Sequence, residues 1–249
     1  MSAKGEWTLA VSGVSKRYGG VTAVDGVDIS IQPGEIVALI GPNGAGKTTL
    51  FNIISGIVRP DRGELYLQGK RVTGLPSWKM AELGVGRTFQ NIRLFADLTI
   101  LENVALARKG TPFSRLRLED VKDVLSRTGL VDLARQRTGA LPYGLRRKVE
   151  LARALAGQPK LILLDEPTAG MNNAEAGDLV SAVRDLAQGG ISVLLIEHSM
   201  KVAMGAAHRV VVMSLGKKLV EGTADAIRKD PNVIQAYLGE RRAGSINAR

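Results

Sequence analysis

The chain has no cysteine, so disulfides, thiolate metal sites and cysteine nucleophiles are excluded and any chemistry falls to other groups. Aromatics are scarce: four Phe, four Tyr and two Trp among 249 residues leave too few rings for a stacking platform along a nucleic-acid strand. Histidines number two, His198 and His208. The longest apolar runs, such as Ile36-Val37-Ala38-Leu39-Ile40, are strand-sized, and the charged start Met1-Ser2-Ala3-Lys4-Gly5-Glu6-Trp7 lacks the apolar stretch of a secretory signal. No membrane span is predicted. Internal repeats and low-complexity segments are also missing.

The net charge is +10, and it is not spread evenly. Thirteen Lys/Arg against five Asp/Glu fall between Arg108 and Lys160, which accounts for most of the surplus. Such a region reads either as a solvated helical face or as attraction to an anionic membrane leaflet. Phosphate-backbone binding ranks behind both, and no nucleic-acid partner is expected.

Strand-like segments run over Trp7 to Val14, Val24 to Ile31, Ile36 to Ile40, Lys160 to Leu164, Ile191 to Ile196 and Val210 to Met213. Several are uninterrupted apolar runs of the kind that sheets buried on both faces require. Helical patterns separate most of them, which predicts an α/β fold with a parallel sheet. From about Asn91 to Ala156 the rhythm changes. Leu98 to Ala107, Leu118 to Leu125 and Leu145 to Leu155 carry helical spacing with no buried strand between them, as expected of a helical insertion.

Gly41-Pro42-Asn43-Gly44-Ala45-Gly46-Lys47-Thr48 fits G-x-x-x-x-G-K-[ST] and stands between a buried strand and an apolar helix pattern. Concentrated phosphate charge calls for inward-pointing backbone N–H groups, glycines that admit the close approach, and a helix N-terminus behind them. Lys47 supplies a point charge for β- and γ-phosphates, and the Thr48 hydroxyl completes a Mg²⁺ shell. In Leu161-Ile162-Leu163-Leu164-Asp165-Glu166 an apolar strand ends on two carboxylates. Alone they would read as a solvated strand end; beside the glycine loop, Asp165 sits where it can reach Mg²⁺ through water and Glu166 where it can act as general base. His198 follows another strand at the end where α/β sheets place ligand chemistry, and it can hold a γ-phosphate and water in register. His208 reads as structural.

Together these residues resemble the ABC ATPase family, through the loop Gly41 to Thr49, Gln90 in Arg87-Thr88-Phe89-Gln90-Asn91, Leu141-Pro142-Tyr143-Gly144-Leu145-Arg146-Arg147, Leu161 to Pro167, and His198. Order and spacing match over nearly the whole chain. For the fold, the resemblance implies one nucleotide-binding domain over 1–249. Its parts are a P-loop (RecA-like) parallel core with an N-terminal antiparallel β subdomain (1–90 and 156–222), an inserted helical signature subdomain (91–155), and a C-terminal helix and tail (223–249).

For the chemistry it implies an ATPase using ATP and Mg²⁺, working as a head-to-tail dimer that sandwiches ATP between one subunit's phosphate loop and the other's signature, here Tyr143 and Gly144. Tyr18 matches the family's adenine-stacking aromatic. Gln90 matches the glutamine that touches Mg²⁺ or water and moves with a transmembrane partner. The other implied partners are permease subunits, a second ATPase subunit and, indirectly, an extracytoplasmic solute-binding protein, with the chain at the cytoplasmic face of the plasma membrane.

The signature departs from the common Leu-Ser-Gly-Gly-Gln: Pro142 lacks hydroxyl and N–H, Tyr143 replaces a glycine, and Leu145 replaces the glutamine. Tyr143, Ala169-Gly170-Met171-Asn172 and the end Val233-Ile234-Gln235-Ala236-Tyr237-Leu238-Gly239 resemble the branched-chain amino acid importers. A soluble ABC ATPase of DNA repair, cluster assembly or translation is the rival reading, weakened by the lack of a long coiled-coil insertion. A GTPase switch is disfavoured by the lack of an Asn-Lys-x-Asp motif.

Overall fold

The computed structural model describes residues 7–88, 91–108 and 118–237. Two sheets form the frame. The first is antiparallel, in order β2-β1-β4-β5, from β1 (Leu9–Tyr18), β2 (Val21–Ile31), β4 (Arg62–Leu67) and β5 (Lys70–Arg71). The second has six strands in order β10-β9-β3-β8-β7-β6: β3 (Ile36–Ile40), β6 (Val85–Arg87), β7 (Leu161–Asp165), β8 (Ser192–Ile196), β9 (Arg209–Ser214) and β10 (Lys217–Gly222). All its pairs are parallel except β9 with β10.

Every residue of β3, β7 and β8 is buried, and the period of two shows why. Val37, Leu39, Leu161, Leu163, Leu194 and Ile196 face a core shared with α1 (Lys47–Ile54) and the antiparallel sheet. Their neighbours Ile36, Ile162, Leu164, Val193 and Leu195 face the other way, onto α5 (Tyr143–Ala156) and α6 (Asn173–Gln188). A strand covered on both faces is apolar through its middle rather than alternating, and the polar residues here stand at strand ends, Ser192 first in β8 and Asp165 last in β7.

Between β6 and β7 the described chain is helical, with α3 (Ile100–Ala105), a 3-10 turn at Leu118–Asp120, α4 (Lys122–Arg127) and α5 packed around Ile100, Val104, Leu125, Leu130, Val149 and Ala152. Thr99 and Glu102 cap α3 reciprocally. Asn103, fully buried, accepts from the Phe95 N–H at 2.9 Å and donates to the Phe95 carbonyl at 3.0 Å, which fixes the entry to that helix. The periodicity over Leu118 to Leu125 does not make one helix. Val121, with φ −128°, interrupts it and α4 starts after. The remaining helices are α2 (Ser77–Glu82), α7 (Met200–Ala206) and α8 (Ala224–Lys229), and residues 231–237 are helical. Among the described residues no helix is long and apolar enough to cross a membrane.

Arg209 joins the two sheets. Its Nε donates to Glu35 Oε1 at 2.8 Å, Nη2 to Glu35 Oε2 at 3.1 Å and to the Ser30 carbonyl, and Nη1 to Glu221 Oε2 at 3.2 Å. A bidentate guanidinium–carboxylate pair at this depth fixes direction as well as distance. Truncation would leave Glu35, whose side chain is only 13 % exposed, without its cation and held by the Gln32 N–H at 2.8 Å. Arg209→Ala is therefore expected to cost about 2 kcal/mol. In a chain of this size that is a fall of roughly 4–8 °C in melting temperature by differential scanning calorimetry.

Candidate active site

The loop between β3 and α1 is shaped by backbone packing on backbone. A Cβ added to Gly41 (φ 148°) would stand 2.1 Å from the Met213 carbonyl oxygen, and one added to Gly46 (φ 95°) 2.1 Å from that of Ala23. Only glycine fits either place. Gly44 needs φ 73° for its turn, and its Cβ direction is open. Ala45 anchors the middle, its N–H donating to the Pro42 carbonyl at 3.2 Å and its carbonyl accepting from Gly216 N–H at 3.1 Å.

Gly46 caps α1 with no side chain, so the N–H groups of Lys47, Thr48 and Thr49 begin the helix without intrahelical acceptors. Lys47 is buried, and its Nζ donates to the carbonyls of Gly41 at 2.6 Å and Pro42 at 2.8 Å, directly over the loop. Asn43, Gly44 and Thr48 are exposed. This is a concave set of backbone donors with one ammonium, open on one side, and it fits a polyphosphate.

Two further strands end beside it. Asp165 is the last residue of β7, paired in register with Ile196 at the end of β8. Burial raises its carboxyl above the usual range, while the Arg87 guanidinium, 4.0 Å away, works in the opposite direction. Arg87 is itself held by the Ser55 hydroxyl at 2.6 Å and by the face of Phe51. Glu166 takes φ 47°, a left-handed conformation that costs a non-glycine residue of order 1–3 kcal/mol. Its N–H donates to the Ile196 carbonyl at 2.9 Å, and His198 Nε2 lies 2.7 Å from its Oε1.

The strained backbone thus turns the carboxylate towards the histidine. Among the described residues no group of three or more His, Cys, Asp or Glu could hold a metal alone. A cation here would need oxygens from its ligand and from water beside Thr48 and Asp165, as a hard divalent ion accepts.

The structure therefore brings Gly41, Pro42, Asn43, Gly44, Ala45, Gly46, Lys47, Thr48 and Thr49 together with Asp165, Glu166 and His198. Tyr18 lies at the rim of the same region. It pairs with Val21 across the β1–β2 turn, two residues before the Ala23 that abuts Gly46, and its half-exposed ring carries Lys16 Nζ at 5.6 Å. Tyr143 and Gly144 pack elsewhere, at the start of α5 against Gly170 and Glu175. Gln90 lies outside the described residues. His208 is structural, its Nδ1 accepting from the Ile36 N–H at 2.9 Å. The buried Thr168, Glu197, Arg147 and Glu150 were not singled out by sequence, because their partners are set by the fold.

Residues 24–169, more than half of the chain, match the family model described as ABC transporter. The chain belongs to this family. A second model, described as branched-chain amino acid ATP-binding cassette transporter, matches residues 217–243. The chain is 40 % identical to the high-affinity branched-chain amino acid transport ATP-binding proteins BraF of Pseudomonas aeruginosa and LivG of Escherichia coli, each alignment covering 93 % of this chain and 98 % of the relative.

Among solved ABC transporter structures, the ADP conformation of the ATP-binding cassette MJ1267 is similar at a TM-score of 0.85 and 31 % identity, over 94 % of this chain and 99 % of that one. A dimeric post-hydrolysis state of the cassette MJ0796, bound to ADP and Pi, is similar at 0.75 and 27 %, over 87 % and 98 %. Membership implies nucleotide binding, and the donor set over Gly41 to Thr49 is the candidate place for it. Lys47→Ala should then lower ATP affinity at least tenfold, about 1.4 kcal/mol, with the melting temperature nearly unchanged. Titration calorimetry reads this directly, and unaltered affinity would remove Lys47 from the site.

Proposed function

We propose that this ABC ATPase is the motor subunit of a membrane importer for branched-chain or similar amino acids. The observation that carries the catalytic reading is the Glu166–His198 contact of 2.7 Å, at the same edge of the parallel sheet as the loop that follows β3. ATP enters with its phosphates on the N–H groups of Gly44 to Thr49 and on Lys47, and its adenine on Tyr18. Glu166 takes the proton of the attacking water as general base, and His198 holds Glu166 and the γ-phosphate in line. Thr48, Asp165 and Gln90 would hold Mg²⁺, which offsets charge on the phosphate oxygens.

In this reading 1–90 and 156–222 form the catalytic core, 91–155 the helical subdomain and 223–249 a C-terminal extension, all within one domain. Tyr143 and Gly144 begin α5 and face a second ATPase subunit across a head-to-tail dimer. Permease subunits dock at the cytoplasmic face of the membrane, where an open cleft of ≈ 240 Å³ lies between β6 and α5, lined by Ala81, Gly84, Arg93, Glu150, Arg153 and Pro159. A solute-binding protein acts only through those permeases. Co-expression with candidate permeases and transport assays over a panel of amino acids test the assignment. Co-purification with duplex DNA or ribosomes in their place would overturn it.

Glu166→Gln should retain ATP binding and lower turnover by about 10²–10⁴, the usual worth of a general base. Steady-state phosphate release measures it, and near-normal turnover would move the base elsewhere. A second expectation concerns the altered signature. Pro142 is the N-cap of α5, gives no side-chain cap and has neither the hydroxyl nor the N–H of the common signature serine. The isolated chain is expected to dimerise weakly with ATP and hydrolyse slowly, and a different ATPase subunit with a serine-bearing signature should raise its rate. Strong second-order activation of the purified chain by itself would show that the altered signature suffices.

A further inference from the structure

The hydrolytic pair is carried by two loops, one after β7 with Glu166 and one after β8 with His198. A third carboxylate joins them. Glu197, 3 % exposed, stands immediately before His198, and its Oε1 accepts from Thr168 Oγ1 at 2.7 Å and from Thr168 N–H at 3.2 Å. Thr168 is two residues beyond Glu166. Burial holds the Glu197 carboxyl above its usual range, and the bonds from Thr168 act against that.

The turn so anchored is a strained one. Glu166 occupies the left-handed region at φ 47°, and such a conformation persists only where its surroundings over-determine it. Three constraints converge there. The Glu166 N–H is bonded to the Ile196 carbonyl at 2.9 Å, the Glu166 carbonyl accepts from Ala169 N–H at 3.1 Å, and Thr168 is tied to Glu197 through both its N–H and its hydroxyl. The first two orient the main chain of Glu166. The third fixes the whole turn against the loop that carries His198.

We propose that Glu197 and Thr168 are positioning residues for hydrolysis, a buried clamp between the two loops that keeps Glu166 Oε1 within hydrogen-bond reach of His198 Nε2. Glu197 and Thr168 are both buried and bonded to each other, so loss of the clamp should leave nucleotide binding to the loop over Gly41 to Thr49. It should act on turnover alone, because a general base displaced by about an ångström loses on the order of 10²-fold. The inference rests on Glu166 being the base.

The test uses the chain and five variants, Thr168→Val, Thr168→Ser, Glu197→Met, Glu166→Gln and the double variant Thr168→Val with Glu197→Met, with ATP affinity by calorimetry, steady-state phosphate release and melting temperature for each. Thr168→Val is close to isosteric and removes only the hydroxyl donor. It and Glu197→Met, which keeps the chain length but has no oxygen acceptor, are expected to lower kcat roughly 10²-fold with ATP affinity within about threefold of the parent. Thr168→Ser, which restores the hydroxyl, should keep kcat within about threefold, and the double variant Thr168→Val with Glu197→Met should be no worse than the poorer single one, as contacting partners behave. Near-normal turnover in Thr168→Val overturns the clamp alone. Equal losses in affinity and kcat, or Thr168→Ser as impaired as Thr168→Val, also overturn it. Near-normal turnover in Glu166→Gln overturns the base reading and the clamp with it.

Discussion

At Gly41 and Gly46 the backbone of the phosphate loop lies so close to the carbonyls of Met213 and Ala23 that a single added carbon would stand 2.1 Å from oxygen. This contact fixes the loop between β9 on one side and β2 on the other. A phosphate-holding loop must leave several N–H groups without protein acceptors, which is costly unless the loop is held from outside. Here it is held by strand ends. The parallel sheet behind it must then be rigid and covered on both faces, and that requirement writes the continuous apolar runs of β3, β7 and β8. The antiparallel sheet, joined through Arg209, completes the frame from the β2 side.

The same sheet ends impose a cost. Asp165, Glu197 and Glu150 are all buried carboxyls, and burial is the first cause raising each of them above its usual value. A carboxyl with a raised folded pKa favours the folded state fully at pH below its unfolded value, and that contribution is lost as pH rises through the folded value. At neutral pH these three groups therefore act against folding rather than for it. Stability does not explain their presence. Each instead holds a piece of main chain or a cation in place: Asp165 stands 4.0 Å from Arg87, Glu197 accepts from Thr168, and Glu150 accepts from Arg147 at 3.1 Å and from the Arg93 N–H at 3.0 Å.

Legibility in the sequence followed the range of the constraint. The phosphate loop was readable because backbone sterics demand glycine at set spacings, and β3, β7 and β8 because two covered faces leave no polar positions between the strand ends. Glu166 and His198 were readable as strand-end residues. β6 was not, since three residues, Val85-Gly86-Arg87, carry no pattern. β10 is an edge strand whose half-buried alternation in Lys217–Gly222 resembles a loop. The split of 118–127 into a 3-10 turn and α4 depends on one residue, Val121, whose dihedral no periodicity records. Thr168 and Glu197 are 29 residues apart, and only the parallel register of β7 with β8 makes them neighbours.

Tyr143 shows what a departure from a family pattern can do inside one chain. Its ring lies on Gly170, where an added Cβ would come within 3.3 Å, so a large residue at 143 is possible because 170 is glycine, with φ 78° besides. Its hydroxyl accepts from Arg147 Nε at 3.1 Å and Nη2 at 2.8 Å, and Arg147 passes the contact to Glu150, which holds the Arg93 backbone. The first turn of α5 is thereby fixed at one end to the loop that follows Glu166 and at the other to the segment beginning at Asn91. A larger residue at 144 would have to displace the Glu175 carboxylate, since an added Cβ would sit 2.8 Å from its Oε1. Pro142 and Leu145 themselves offer an anion no hydroxyl and no amide side chain. If α5 meets a partner's phosphate, it does so with N–H groups whose direction is set by Tyr143, Arg147 and Glu150. Recognition at this end of the cassette then depends on how firmly the helix is held rather than on which polar groups it carries.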